Sequence, residues 1–168
     1  MDAHEQLTTL YRELQKQGHA VFAVTLSTFI KSASFASPAR MQHMWDQHFI
    51  RRVRRRIPEP SPLHHDFVIE LSPPLMPVIT QEEDRVPAYS TERYFHYHGF
   101  LAVQARHAKR IWTKGQLNKQ LFDSLVSFKS AGKYRPFRIP SFDISPIKSV
   151  EAWTAYILKE VTTALSFA

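Results

Sequence analysis

The chain has 168 residues, 43% hydrophobic and 12% aromatic, which is enough for one globular domain with a real core. Lysine and arginine outnumber aspartate and glutamate 22 to 15, and the net charge of +7 favours a polyanionic partner, nucleic acid before membrane. With no cysteine, the composition excludes disulfides, thiolate zinc sites, iron–sulfur clusters and a cysteine nucleophile.

No apolar run is long enough to span a bilayer. The opening Met-Asp-Ala-His-Glu-Gln lacks the basic start and apolar core of a signal peptide, so a cytoplasmic location is the expectation. The whole chain, 1–168, reads as a single domain: a packing helix over 1–18, then a core over 20–161.

Leu7, Leu10, Tyr11 and Leu14 recur at helical spacing between a capping Asp2 and a terminating Gly18. Residues 20–28, Ala-Val-Phe-Ala-Val-Thr-Leu-Ser-Thr, are apolar and β-rich and read as a central strand with a polar exit. A second helix is expected within 34–57. Ser37 caps it, Pro38 takes the first helical position, and Met41, Met44, Trp45, His48, Phe49 and Val53 form its stripe. It ends in Arg51, Arg52, Arg54, Arg55 and Arg56. Two readings stand for this run: a solvated end favoured by the helix dipole, or a patch of fork-shaped donors for phosphates.

Residues 65–72 form the next expected strand, with Phe67, Ile69 and Leu71 on one face and Val68 and Glu70 on the other. A mid-strand acid is costly to bury unless it is paired or binds a metal, so Glu70 reads either as a solvated side chain or as a ligand. Residues 73–91 are rich in proline and acidic in their second half, an excursion between strands; Glu92 follows as a second candidate acid.

Arg93 to Gln104 carries the most chemistry. Aromatic and branched residues make it a strand. Alternation puts His96 and His98 on one face and Phe95, Tyr97, Leu101 and Val103 on the other. The pair reads either as two half-buried histidines or as a pincer for a divalent metal. Gly99 leaves room for a ligand or another backbone to come close.

Residues 105–132 are helical in pattern with a break at Gly115, and they carry Lys109, Arg110 and Lys114. Residues 137–148 alternate loosely as a last strand. A final helix runs over 149–165, with Ser149 as cap and Val150, Trp153, Ile157, Val161 and Leu165 as its stripe. Tyr156 and Lys159, three apart, are neighbours on one face of it.

Taken together, Phe-Ala-Val-Thr-Leu-Ser at 22–27, His-Tyr-His-Gly at 96–99 and Tyr-Ile-Leu-Lys at 156–159 resemble the HUH endonuclease superfamily. The likeness is strongest to its rolling-circle replication initiators with a single-tyrosine Y-x-x-K motif, the kind found in plasmids and phages. The resemblance spans roughly residues 20 to 161. It implies an α+β fold, a central antiparallel sheet flanked by helices in an RRM-like palm. It implies manganese or magnesium held by His96, His98 and an acid, Glu70 or Glu92. It implies Tyr156 as the nucleophile that nicks and rejoins single-stranded DNA at an origin or hairpin, with Lys159 beside the phosphate and host replication proteins as further partners. Arg51, Arg52, Arg54, Arg55, Lys109, Arg110 and Lys114 are then the candidates for gripping flanking DNA. A single-strand transposase, a metal-dependent hydrolase using water and a non-catalytic nucleic-acid-binding module are the competing expectations.

Overall fold

In the computed structural model, residues 2–31, 37–71, 94–126 and 137–164 are described; within these ranges the side chains of residues 29, 31, 71, 126, 138–141 and 159–164 are not. Helix α1 (Ala3–Lys16) begins with a capping box in which the Asp2 carboxylate accepts from Glu5 N and the Glu5 carboxylate accepts from Asp2 N. The chain then turns through Gly18 at φ 81° into β1 (His19–Lys31).

Four strands, β1, β2 (Leu63–Leu71), β3 (Tyr94–Gln104) and β6 (Phe137–Pro146), form one antiparallel sheet in the order β2-β3-β1-β6. The fold is therefore α+β, with helices packed on the sheet. The strand carrying the histidines is interior, paired on one side with β1 and on the other with β2. Pro140 and Pro146 fall on β6, an edge strand, where a missing N–H is tolerated.

Alternation divides the sheet into two faces. On one face, Phe22, Val24 and Leu26 of β1 and Tyr97, Leu101 and Val103 of β3 join Met41, Met44, Trp45, Phe49 and Val53 in the larger core. Those last residues come from a continuous helical segment: α2 (Pro38–Met44), a π-helical turn (Trp45–Ile50) and α3 (Arg51–Arg54). Trp45 and Tyr97 are fully buried, their ring centroids 5.4 Å apart, and burying each such side chain contributes roughly 1.5–3 kcal/mol. Ser37 caps the segment by accepting from Arg40 N, as its sequence predicts.

On the other face, Tyr11 and Leu14 of α1 and Val150 of α5 (Val150–Ala164) meet Val21, Phe100 and Ala102 of the sheet. The predicted stripe of α1 is rotated slightly. Leu10 is 42% exposed, while Thr8 is buried against Thr154 of α5, their hydroxyls 3.1 Å apart.

Of the helical pattern expected over 105–132 with its break at Gly115, the piece after the break is helical, the piece before it is not, and residues 127–132 lie outside the described residues. A 3₁₀ turn (Ala105–Arg110) leads into a small hairpin, β4 (Trp112–Thr113) and β5 (Gln116–Leu117), and then α4 (Lys119–Val126). The cause is local: Lys114 and Gly115 both take positive φ, 52° and 76°, the geometry of a two-residue hairpin turn and incompatible with a helix. Ile111, Leu121 and Leu125 of this region complete the larger core.

Candidate metal centre

The sheet register assembles the site. His96 of β3 lies opposite Glu70 of β2 and Ser27 of β1, and His98 lies opposite Val68 and Thr25. Because partners across a ladder point to the same face, Glu70, His96, His98 and Thr25 converge on the side of α1 and α5.

The Glu70 carboxylate is shared by both rings. Its Oε2 lies 2.7 Å from His96 Nε2 and 2.9 Å from His98 Nε2. His96 and His98 are buried, and the Glu70 side chain is only 12% exposed. The ring centroids of the histidines are 4.6 Å apart and nearly perpendicular. One donor atom from each of the three residues lies within 4.8 Å of the others. Two donors each about 2.1 Å from a common ion are roughly 3–4 Å apart, so this set fits a divalent cation with small adjustments. Two imidazoles and one carboxylate on one face also leave positions open for water or substrate.

Thr25 orients the cluster from behind, with its Oγ1 3.1 Å from His98 Nδ1. When His98 Nε2 is a ligand, Nδ1 carries the ring proton and donates it to Thr25. The hydroxyl oxygen accepts that proton, so Thr25 is compatible with the metal-binding tautomer and steadies the ring in it.

Helix α5 covers the cluster. Ser149 caps it by accepting from Ala152 N. Glu151 in its first turn pairs with Arg12 of α1, and its carboxyl lies below the usual range because of a hydrogen bond to its own backbone N–H and that guanidinium. The helix thereby holds Tyr156 with its ring centroid 5.1 Å from that of His98, edge to face. Trp153, one turn earlier, stacks on Tyr156 at 5.4 Å and 24° and meets His98 at 6.3 Å. Tyr156 is nevertheless 44% exposed.

No protein-family model matches the chain. Neither a curated protein nor a solved structure matches it either.

Of the predicted site residues, Glu70, His96, His98 and Tyr156 are brought together. Lys159 lies on α5 one turn beyond Tyr156, with its side chain outside the described residues, as is Glu92. Arg51, Arg52, Arg54 and Arg55 belong to the helical segment behind the sheet, in the layer opposite Glu70 and the histidines. Lys109, Arg110 and Lys114 follow the end of β3. His96 lies eight residues before that end, about 27 Å along the strand. Thr25 and Trp153 are the contributors that sequence reasoning left as strand exit and apolar stripe. Their roles depend on pairing across the sheet and on how α5 is rotated.

Proposed function

We propose that this chain is a metal-dependent endonuclease of the HUH type that nicks and rejoins single-stranded DNA, acting as a rolling-circle replication initiator. The observation that carries the reading is the seating of Tyr156 against His98, above a three-residue set suited to a divalent cation. A phenol near pKa 10 is a weak nucleophile, so it needs a polarised phosphate beside it. A bound manganese or magnesium ion supplies that polarisation and offsets charge on the phosphate.

The chain's own residues divide the remaining work. Glu70, His96 and His98 would hold the ion, and Thr25 would accept from His98 Nδ1 and steady the ring. Trp153 stacks against the Tyr156 ring and limits its rotation, while the exposed edge admits DNA. Tyr156 Oη attacks phosphorus as its proton passes to solvent, the P–O3′ bond breaks, and the departing 3′ oxygen takes a proton from solvent to become a hydroxyl. The 5′ phosphate stays on the tyrosine, and attack by a 3′ hydroxyl reverses the step and rejoins the strand.

The test is a covalent adduct. Incubation with a pool of single-stranded DNA and manganese is expected to give a protein–DNA species that survives a denaturing gel. Tyr156→Phe is expected to abolish it. An adduct that persists in Tyr156→Phe removes Tyr156 as nucleophile, and no adduct across a broad pool overturns the nicking reading.

A further inference from the structure

The helical segment behind the sheet carries a second concentration of charge. Its apolar side, Met41, Trp45, Phe49 and Val53, is in the core. Its outer side presents His43, Gln47, His48, Arg51, Arg52 and Arg55 around an open groove of about 320 Å³. The positions 43, 47, 51 and 55 recur every fourth residue, so they share one helix face. A π-helical turn, a local widening common at functional sites, lies in the middle of this row.

Among the described residues no carboxylate lines the groove. Asp46, the acid in the same stretch, accepts a hydrogen bond from Gln42 Nε2 at 3.0 Å. Arg54 is turned away to the Ser61 carbonyl and Glu59. Arg56 is turned to Gln120. Arg52 is fixed in place, its Nε donating to the Ser124 carbonyl and its Nη1 to the His48 carbonyl, each at 2.8 Å. Arg51 donates only to the neutral Gln47 side chain, at 3.3 Å, and the Arg55 guanidinium makes no hydrogen bond or ion pair among the described residues. The crowding is felt: burial first, then Arg55 and Arg51, hold the Arg52 pKa below its usual value. Burial, Arg52 and His43 do the same to His48.

We propose that this groove binds consecutive phosphates of a nucleic-acid strand, at a site that the sheet separates from Glu70, His96 and His98. Planar guanidinium forks match phosphate oxygens two at a time. From His43 to Arg55 the row covers about 18 Å at α-helical rise, a length that faces several phosphates of a strand and exceeds one free anion. The site stands independently of the nicking reading, since it needs neither the metal nor Tyr156.

The experiment follows binding of a labelled single-stranded oligonucleotide by fluorescence anisotropy across salt concentrations, in EDTA, with the full chain. Arg51 and Arg55 are exposed, so the Arg51→Gln/Arg55→Gln variant is expected to fold, and an unchanged circular dichroism spectrum and melting temperature verify it. The variant is expected to bind at least tenfold more weakly and to lose about 1.4 from the log–log salt slope, roughly 0.7 for each phosphate contact removed. If that pair fails to fold, Arg55→Gln alone is expected to lose about 0.7 from the slope. Strand affinity and slope unchanged in a folded variant overturn the proposal. Lost pyrophosphate binding with strand binding intact also overturns it, by assigning the groove to a free anion. A missing Tyr156 adduct with strand binding preserved counts against nicking alone.

Discussion

Gly99 packs β3 directly against β2 beside the candidate metal site. A Cβ added there meets the Asp66 carbonyl oxygen at 2.3 Å and the Cα and Cβ of Phe67 at 3.0 Å each. Two of these three atoms are backbone, so no rotamer change relieves the contact. Restoring even a 3.0 Å separation requires β2 and β3 to part locally by about 0.7 Å. Overpacking of this kind costs about 1–3 kcal/mol. Loss of unfolded-state freedom on replacing glycine returns roughly 0.4–1 kcal/mol. Gly99→Ala is therefore expected to destabilise the fold by about 1–2 kcal/mol net, a fall in Tm of roughly 2–8 °C for a domain of this size. The same displacement moves Glu70, on β2, relative to His98, adjacent to Gly99 on β3. A site tolerates only about 0.5 Å, so manganese affinity is expected to fall at least tenfold. Thermal melts and isothermal titration with manganese read both effects. An unchanged Tm together with unchanged affinity refutes the reasoning, because it means that the two strands separate freely at this point.

Thr25→Val keeps the shape of the strand but removes the oxygen beside His98 Nδ1, and manganese affinity is expected to fall 10- to 100-fold with the melting temperature little changed; equal affinity denies Thr25 its orienting role. His65 offers a test by pH. Its Nδ1 accepts from Trp45 Nε1–H at 3.1 Å, and burial holds its pKa below the ordinary histidine value, against the opposing pull of Asp46 and Asp66. The unfolded chain takes up this proton near pH 6.5 and the folded chain resists it, so stability is expected to be full above about pH 6.5 and to fall as the pH drops toward the lower folded value. His65→Gln, which can still accept from Trp45, is expected to flatten that slope in urea titrations; parallel slopes for the two proteins contradict the assignment.

Much of the site was legible because strand alternation is a local property. His96 and His98 share a face, and Tyr97 between them must enter the opposite core, where its hydroxyl donates to the Met41 carbonyl at 2.8 Å. A mid-strand acid at Glu70 and a capped helix carrying Tyr156 were also visible. What tied them together was not. Pairing of Glu70 with His96 and of Thr25 with His98 depends on register between segments far apart in sequence, which no local pattern encodes. The break at Gly115 and the helix after it agree with the pattern, whereas the piece before it is not helical: apolar residues at 111, 112 and 117 suit a helix or a hairpin, and the positive φ at Lys114 and Gly115 decides between them. The density of donors in the arginine run is plain in the sequence, which leaves open whether they face phosphates or water. Only the fold shows that some of those forks are spent on carbonyls and that the free-facing ones look away from the tyrosine.

The location of the ligands on two neighbouring strands has a consequence for how the chain reaches its native state. Glu70 and His96 are 26 positions apart and meet only when β2 is paired in one register. β2 is an edge strand, the kind most free to slip, and a slip of one residue turns Glu70 to the opposite face. A slipped sheet thus has no carboxylate for the ion. A cation that binds the aligned form alone at a hundredfold excess over its Kd adds about 2.7 kcal/mol to that form and nothing to its competitors. An ion held by these three residues would thus favour the correct alignment of the sheet as the chain folds, before any substrate arrives.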